Sequence, residues 1–277
     1  MGAHGGDERP DPLDATGRVV VVTGGARGIG RGIAEAFLGA GADVVVCGRR
    51  EVADDDLPAA TDAAGVRRRA QYVVADLRLP DEAAAVVTAA VDRFGRLDTL
   101  VNNAGGSPKV DAATASPRFS TAIVTLNLLA PLHCAQAANA VMQAQPEGGS
   151  IVNIGSVSGL RPSPGSAAYG AAKAGLVSLT RSLAVEWAPK VRVNTVTVGL
   201  VATEAADEYY GGPAGTAAVA ATVPLGRFGT PGDIAGVCRF LASSLASYVT
   251  GADLVVHGGG EWPAYLTAAE RATGTRD

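Results

Sequence analysis

Val19-Val20-Val21-Val22-Thr23-Gly24-Gly25-Ala26-Arg27-Gly28-Ile29-Gly30 decides how the rest of the chain is read. Four successive β-branched residues within Arg18–Thr23 describe a strand buried on both faces, and the glycines that follow describe a tight turn. From Gly28 to Ala40 the apolar residues Ile29, Ile33, Ala36, Phe37 and Ala40 recur at helical spacing, and Gly41 stops the pattern. A strand that runs through glycines into a helix brings backbone N–H groups and the positive end of the helix dipole to one point. That point suits an anionic pyrophosphate. The spacing of Gly24, Gly28 and Gly30 is GxxxGxG rather than GxGxxG, but the physical demands of the turn are the same.

The alternation continues outward. Strands are expected at Asp43–Cys47, Gln71–Ala75, Thr99–Val101, Ser150–Ile154, Val191–Val198 and Ala252–Val256, with helices at 81–94, 119–143, 167–187 and 231–242. Strands that are apolar throughout and separated by helices predict an α/β fold. The expectation is a doubly wound, seven-stranded parallel sheet of the Rossmann type in a single domain, with helices on both faces and ligands at the carboxyl ends of the strands. That domain is placed at residues 18–260, between a loose tail at 1–17 and a second tail at 261–277. The aperiodic stretch at about 200–223 follows a strand's carboxyl end and is read as a mobile substrate loop.

The second strand ends in Cys47-Gly48-Arg49-Arg50, where dinucleotide folds that take NAD carry a carboxylate for the ribose. With no carboxylate present to repel a 2′-phosphate, Arg49 can grip one bidentately and Arg27 can add a second cation, so NADP(H) is favoured over NAD(H). The alternative is that these arginines are solvated loop residues. Asp76, followed by Leu77 at the end of the third strand, is placed at the adenine amino group or, alternatively, as a cap for the next turn.

Tyr169 and Lys173 lie four residues apart on an expected helix and so share a face. A nearby cation favours a phenolate and lowers its pKa from about 10. Ser156, thirteen residues before Tyr169, supplies a hydroxyl to hold a carbonyl oxygen. Together these are the parts for proton transfer in carbonyl reduction or alcohol oxidation.

Composition narrows the field. With 47% hydrophobic and 18% charged residues the chain can bury a core, and a net charge of −4 without a basic stripe argues against nucleic acid. No apolar run is expected to cross a membrane, and residues 1–17 lack the apolar segment of a signal peptide. Cys47, Cys134 and Cys238 are widely spaced within apolar stretches, which fits reduced thiols in a cytoplasmic protein better than disulfides or a metal site.

Thr23-Gly24-x-x-x-Gly28-Ile29-Gly30, Asp76, Asn102-Asn103-Ala104-Gly105, Asn127, Ser156, Tyr169 and Lys173 stand in an order and spacing that resembles the short-chain dehydrogenases/reductases. The likeness is to their compact single-domain branch, including its 3-oxoacyl reductase-like members, over roughly residues 17–260. Pro224-Leu225-Gly226-Arg227 and the stretches 229–235 and 247–251 resemble that branch's C-terminal part. The resemblance implies Tyr169 as general acid and base, Lys173 as its modulator and a ligand of the nicotinamide ribose, and Ser156 as the group orienting the carbonyl. Asn127 would hold a water leading from Lys173 to solvent, or be structural. Asn103, Ala104 and Gly105 would line the cofactor, and Gly199, Val201 and Thr203 would meet the nicotinamide carboxamide.

Two positions depart from the family pattern. Val198-Gly199 stands where the family has Pro-Gly, and His257 precedes the terminal glycines where an aspartate is common; His257 is assigned no chemistry. The resemblance implies a hydride-transferring enzyme for a small carbonyl or alcohol, such as a 3-oxoacyl thioester or another ketone, assembled as a homotetramer or dimer. A cofactor-binding sensor or structural subunit without turnover is the alternative, and the intact Ser156, Tyr169 and Lys173 count against it.

Overall fold

The computed structural model describes residues 11–203 and 210–274. Residues 1–10, 204–209 and 275–277, which include parts of both expected tails and of the expected substrate loop, lie outside the described residues.

Seven parallel strands form the sheet: β1 (Val19–Thr23), β2 (Asp43–Gly48), β5 (Gln71–Val74), β6 (Thr99–Asn102), β7 (Gly149–Ser156), β8 (Val191–Val198) and β9 (Asp253–Val256). Their order across the sheet is β5-β2-β1-β6-β7-β8-β9, so the winding reverses between β1 and β6. A crevice opens at that reversal, outside the carboxyl ends of the strands. Helices α1 (Gly28–Gly39) and α7 (Pro231–Ala242) cover one face, meeting Val20, Val22, Val44, Val46 and Val196. Helices α2 (Pro80–Phe94), α4 (Ala130–Ala144) and α5 (Ala167–Trp187) cover the other, meeting Val21, Val45, Leu100, Ile151 and Val193. The fold is the doubly wound sheet that the strand pattern predicts.

The connection from β2 to β5 is not helical. It runs through a short turn at Asp54–Asp56 and an antiparallel hairpin, β3 (Ala59–Thr61) and β4 (Arg67–Arg69). The segment has no apolar stripe to bury as a helix, and its turn chemistry is strong. Asp62 accepts hydrogen bonds from the Ala64 and Val66 amides at 3.0 and 2.9 Å and from Arg68 Nε at 2.8 Å, while Gly65 takes φ +81°.

The long helix expected over 119–143 is present as one continuous helix, in which α3 (Pro117–Val124) passes into α4 through a π turn at Thr125–Leu129. Pro131 is the cause: it has no N–H for the Asn127 carbonyl four residues back, and its ring crowds that carbonyl. The combined stretch Pro117–Ala144 is long and apolar enough, by length and composition, to cross a membrane, which the residue pattern alone did not suggest. Here Ala130, Cys134, Ala135, Ala138 and Met142 instead bury one face of it against the sheet.

The described end of the N-terminal tail is docked rather than loose. Ala15 is buried and its amide donates to the Ala40 carbonyl at 2.8 Å, while Arg239 holds the Leu13 carbonyl at 2.9 Å. Two further helices, α6 (Pro213–Ala220) and α8 (Ala264–Thr273), lie in the substrate-loop region and the C-terminal tail.

Candidate active site

β7 delivers Ser156 at its carboxyl end, and α5 presents Tyr169 and Lys173 from its first two turns. The Ser156 hydroxyl lies close enough to the Tyr169 phenol to favour its ionised form, and it accepts from the Ser158 amide at 3.2 Å. Lys173 is only 3% exposed; its ammonium donates to the Ile154 carbonyl at 2.7 Å and lies 5.7 Å from the centre of the Tyr169 ring. The three residues that the sequence singles out for proton transfer therefore converge.

The electrostatics differ from the expectation that Lys173 acidifies Tyr169. Burial raises the phenol above its usual 10 and outweighs the nearby Ser156 hydroxyl, which pulls it down. Burial also pushes Lys173 down from 10.5 to about 8. At neutral pH burial thus favours the protonated phenol, beside an ammonium that keeps its charge although burial opposes it.

Asn127 is fully buried in the π turn. Its Nδ2 donates to the Gly106 and Ile123 carbonyls at 3.0 and 2.9 Å, and its Oδ1 accepts from the Gly106 amide at 2.9 Å. The side chain thus pins the loop after β6. Gly105 completes the junction: a Cβ there would come within 2.6 Å of Asn127 Oδ1 and 3.4 Å of Lys173 Nζ. A relay through Asn127 would have to use its backbone carbonyl, the group that Pro131 cannot satisfy.

At the other end of the crevice, the glycine turn enters α1 with Gly24 at φ +64° and Gly28 at φ +53°. The helix has no side-chain cap and no acidic residue in its first turn, so the amides there face an unopposed positive end. Asn103, expected to line a cofactor with its neighbours, turns its side chain onto the glycine turn. Its Nδ2 donates to the Thr23 and Gly24 carbonyls at 2.9 and 3.3 Å. Thr23, whose role the sequence did not disclose, accepts from the Asn103 and Ala104 amides at 2.9 and 3.0 Å. These bonds tie the glycine turn to the end of β6 and bring Ala104 beside Gly24.

Asp76 is not left to an adenine alone. Its carboxylate is engaged by Arg78, whose Nε lies at 2.8 and 3.1 Å from its two oxygens, and that bond holds it below its ordinary pKa. Arg49 lies close enough to add to the same lowering, and it makes no ion pair with another described residue. Arg49, Asp76 and Arg78 therefore gather where the sequence places an adenosine, while Leu77 is buried in the core below. Arg27 is exposed at the start of α1.

Gly199 ends β8 with its amide donating to the Val256 carbonyl, and it packs on His257, which a Cβ at Gly199 would meet at 2.6 Å. His257 is thus distant in sequence but adjacent in space to the expected carboxamide region. Val201 bridges to Gly229, and Thr203 is the last described residue before 204–209. The ion pair of Arg161 with Glu261 and the Trp262 amide bond to the Thr222 carbonyl at 2.7 Å fasten the C-terminal segment to the loop after Ser156 and to the stretch expected to be the substrate loop. No cluster of three or more His, Cys, Asp or Glu placed to hold a metal occurs among the described residues.

A family model described as Enoyl-(Acyl carrier protein) reductase matches residues 24–261. The chain belongs to the short-chain dehydrogenases/reductases. The 3-oxoacyl-[acyl-carrier-protein] reductase of Synechocystis is 36% identical over 88% of this chain and 97% of its own length. The 2-dehydro-3-deoxy-D-gluconate 5-dehydrogenase of Escherichia coli is also 36% identical, over 88% of this chain and 95% of its own. A crystal structure of a short-chain type dehydrogenase/reductase from Mycobacterium marinum superposes with a TM-score of 0.81 at 32% identity, covering 91% of this chain and 99% of that one. As a short-chain dehydrogenase/reductase, the protein is an oxidoreductase that works with a nicotinamide cofactor on a small molecule. The glycine turn and the uncapped N-terminus of α1 fit such a dinucleotide.

Proposed function

We propose that this short-chain dehydrogenase/reductase is an NADP(H)-dependent carbonyl reductase or alcohol dehydrogenase. The observation that carries the reading is the Ser156–Tyr169–Lys173 cluster, joined through Gly105 to the loop that pins the glycine turn. The bound cofactor supplies or takes the hydride. Ser156 donates a hydrogen bond to the substrate oxygen, and Tyr169, kept protonated by burial, gives that oxygen its proton in the reducing direction. Lys173 holds positive charge beside the phenol as the proton leaves, and Ile154 fixes the ammonium in place. In oxidation the same phenol oxygen takes the proton back.

NADP(H) over NAD(H) rests on Gly48 standing where a ribose-binding carboxylate would be and on Arg49 beside it. The relatives are named for activities on an acyl thioester and a sugar acid, so 3-oxoacyl thioesters and other ketones are both candidate substrates. Roles for Asn127, Ala104, Gly105, Gly199, Val201 and Thr203 belong to this reading. So do a cytoplasmic setting and a homotetramer or dimer built on α4 and α5.

The test is a panel of ketones, 3-oxoacyl thioesters and secondary alcohols assayed with each cofactor, followed by Arg49→Asp. The reading expects faster turnover with NADPH and a preference that falls at least about tenfold in the variant. An unchanged preference would remove Arg49 from the phosphate assignment.

A further inference from the structure

Tyr72 belongs to none of the sequence motifs, yet it stands where the dinucleotide's adenosine half would be read. In the parallel register of β2 and β5 it lies opposite Val46. Side chains on a strand alternate, so positions 44, 46 and 48 of β2 share one face. Val44, Val46 and Tyr72 lie together in the layer covered by α1. The glycine turn crosses this face, since a Cβ on Gly25 would come within 2.4 Å of Val46 Cγ1. Position 48 is therefore the next outward from the turn, where an acidic side chain would reach a ribose.

A Cβ at position 48 would meet the Tyr72 phenolic oxygen at 2.5 Å, whereas the nearest ring carbons lie at 3.6 and 3.9 Å. Only the hydroxyl stands in the way. That hydroxyl is not idle, because it donates to the Arg50 carbonyl at 2.5 Å and so holds the backbone that carries Arg49. Moving it aside would break that bond and release the arginine turn.

We propose that Tyr72 is a specificity-determining residue for the dinucleotide: its hydroxyl closes position 48 to an acidic side chain and fixes the Arg49–Arg50 turn for a 2′-phosphate. The second half of this inference rests on the NADP(H) reading above, and the first half does not. One oxygen atom thus keeps position 48 free of the carboxylate that would read a ribose and holds the turn that carries Arg49.

A double-mutant cycle on Gly48→Asp and Tyr72→Phe tests it, with thermal melts of all four proteins without nucleotide and titrations with NADPH, NADH, 2′,5′-ADP and 5′-AMP. Losing the hydroxyl-to-carbonyl bond in Tyr72→Phe should weaken NADPH about threefold to tenfold and leave NADH within about twofold. Gly48→Asp alone should be destabilised or insoluble. Adding Tyr72→Phe should restore its melting temperature and give NADH binding at least about tenfold tighter than in Gly48→Asp. Equal melting temperatures and equal NADH affinities for Gly48→Asp with and without Tyr72→Phe would overturn the steric claim. Unchanged NADPH affinity in Tyr72→Phe would overturn the turn-fixing claim. If the unmodified protein binds 2′,5′-ADP no more tightly than 5′-AMP, the cofactor reading fails, and the melts still decide the steric claim.

Discussion

Replacing Lys173 with Met should make the protein more stable at neutral pH while removing a group the proposed reaction needs. Burial holds the lysine near 8 against 10.5 in the open chain. That gap of about 2.5 units, at about 1.4 kcal/mol each, makes a charged Lys173 cost the fold roughly 3 kcal/mol. Between about pH 8 and 10.5 the unfolded chain binds more protons than the folded one, so this group's contribution to stability rises with pH. The cost is in full force below about 8 and gone above 10.5. Methionine avoids the charge but forfeits the bond to the Ile154 carbonyl, a loss of about 1 kcal/mol. Lys173→Met should therefore gain about 2 kcal/mol at pH 7, lose that advantage across the same interval, and fall below the unmodified protein near pH 10.5. Urea unfolding of both proteins without nucleotide, from pH 6 to 10.5, measures this directly. Other buried groups, including Cys47 with its thiol raised to about 11, titrate in both proteins and cancel in the difference. A variant less stable at pH 7, with a pH curve parallel to the unmodified protein's, would refute the reasoning.

Gly105→Ala should lower kcat about tenfold or more by pushing on Asn127 Oδ1, 2.6 Å from the new Cβ, with little change in melting temperature. Steady-state kinetics beside a thermal melt checks the two effects separately. At the opposite end of the sheet, Asp98 is buried and accepts bonds from Arg96, Arg18 and the Val19 amide. Burial works to raise its carboxyl, but those bonds outweigh it and hold the group below 3.8. Asp98→Ala should cost about 1–3 kcal/mol at pH 7 in denaturant unfolding, mainly from the orphaned Val19 amide and the lost arginine bonds, without altering cofactor affinity. The stability Asp98 gives is present above about 3.8 and lost as pH falls through its lower folded value, so the difference should shrink in acid.

The strands and the catalytic convergence were legible because they depend on local rules. Val19–Val22, Val44–Val46 and Val191–Val198 announce buried strands by composition alone. The four-residue spacing of Tyr169 and Lys173 survives any detail of packing. What escaped notice depends on which elements adjoin. The β3–β4 hairpin replaced an unassigned crossover because Asp62 and Gly65 build a turn, a signal present in the sequence but short. Pro131 also announced the π turn at Asn127, although the apolar period ran through it. The Asp76–Arg78 pair, the Asn103 bonds to the glycine turn and the Gly199–His257 contact needed coordinates, because each joins groups whose orientation or neighbours no period encodes.

The proton-transfer role of Tyr169 is tested most directly by single-turnover reduction of an activated ketone by the Tyr169→Phe protein loaded with NADPH. A fall of about 10²- to 10⁴-fold, with NADPH affinity within about threefold of the unmodified protein, is the predicted result. A rate equal to that of the unmodified protein would contradict it.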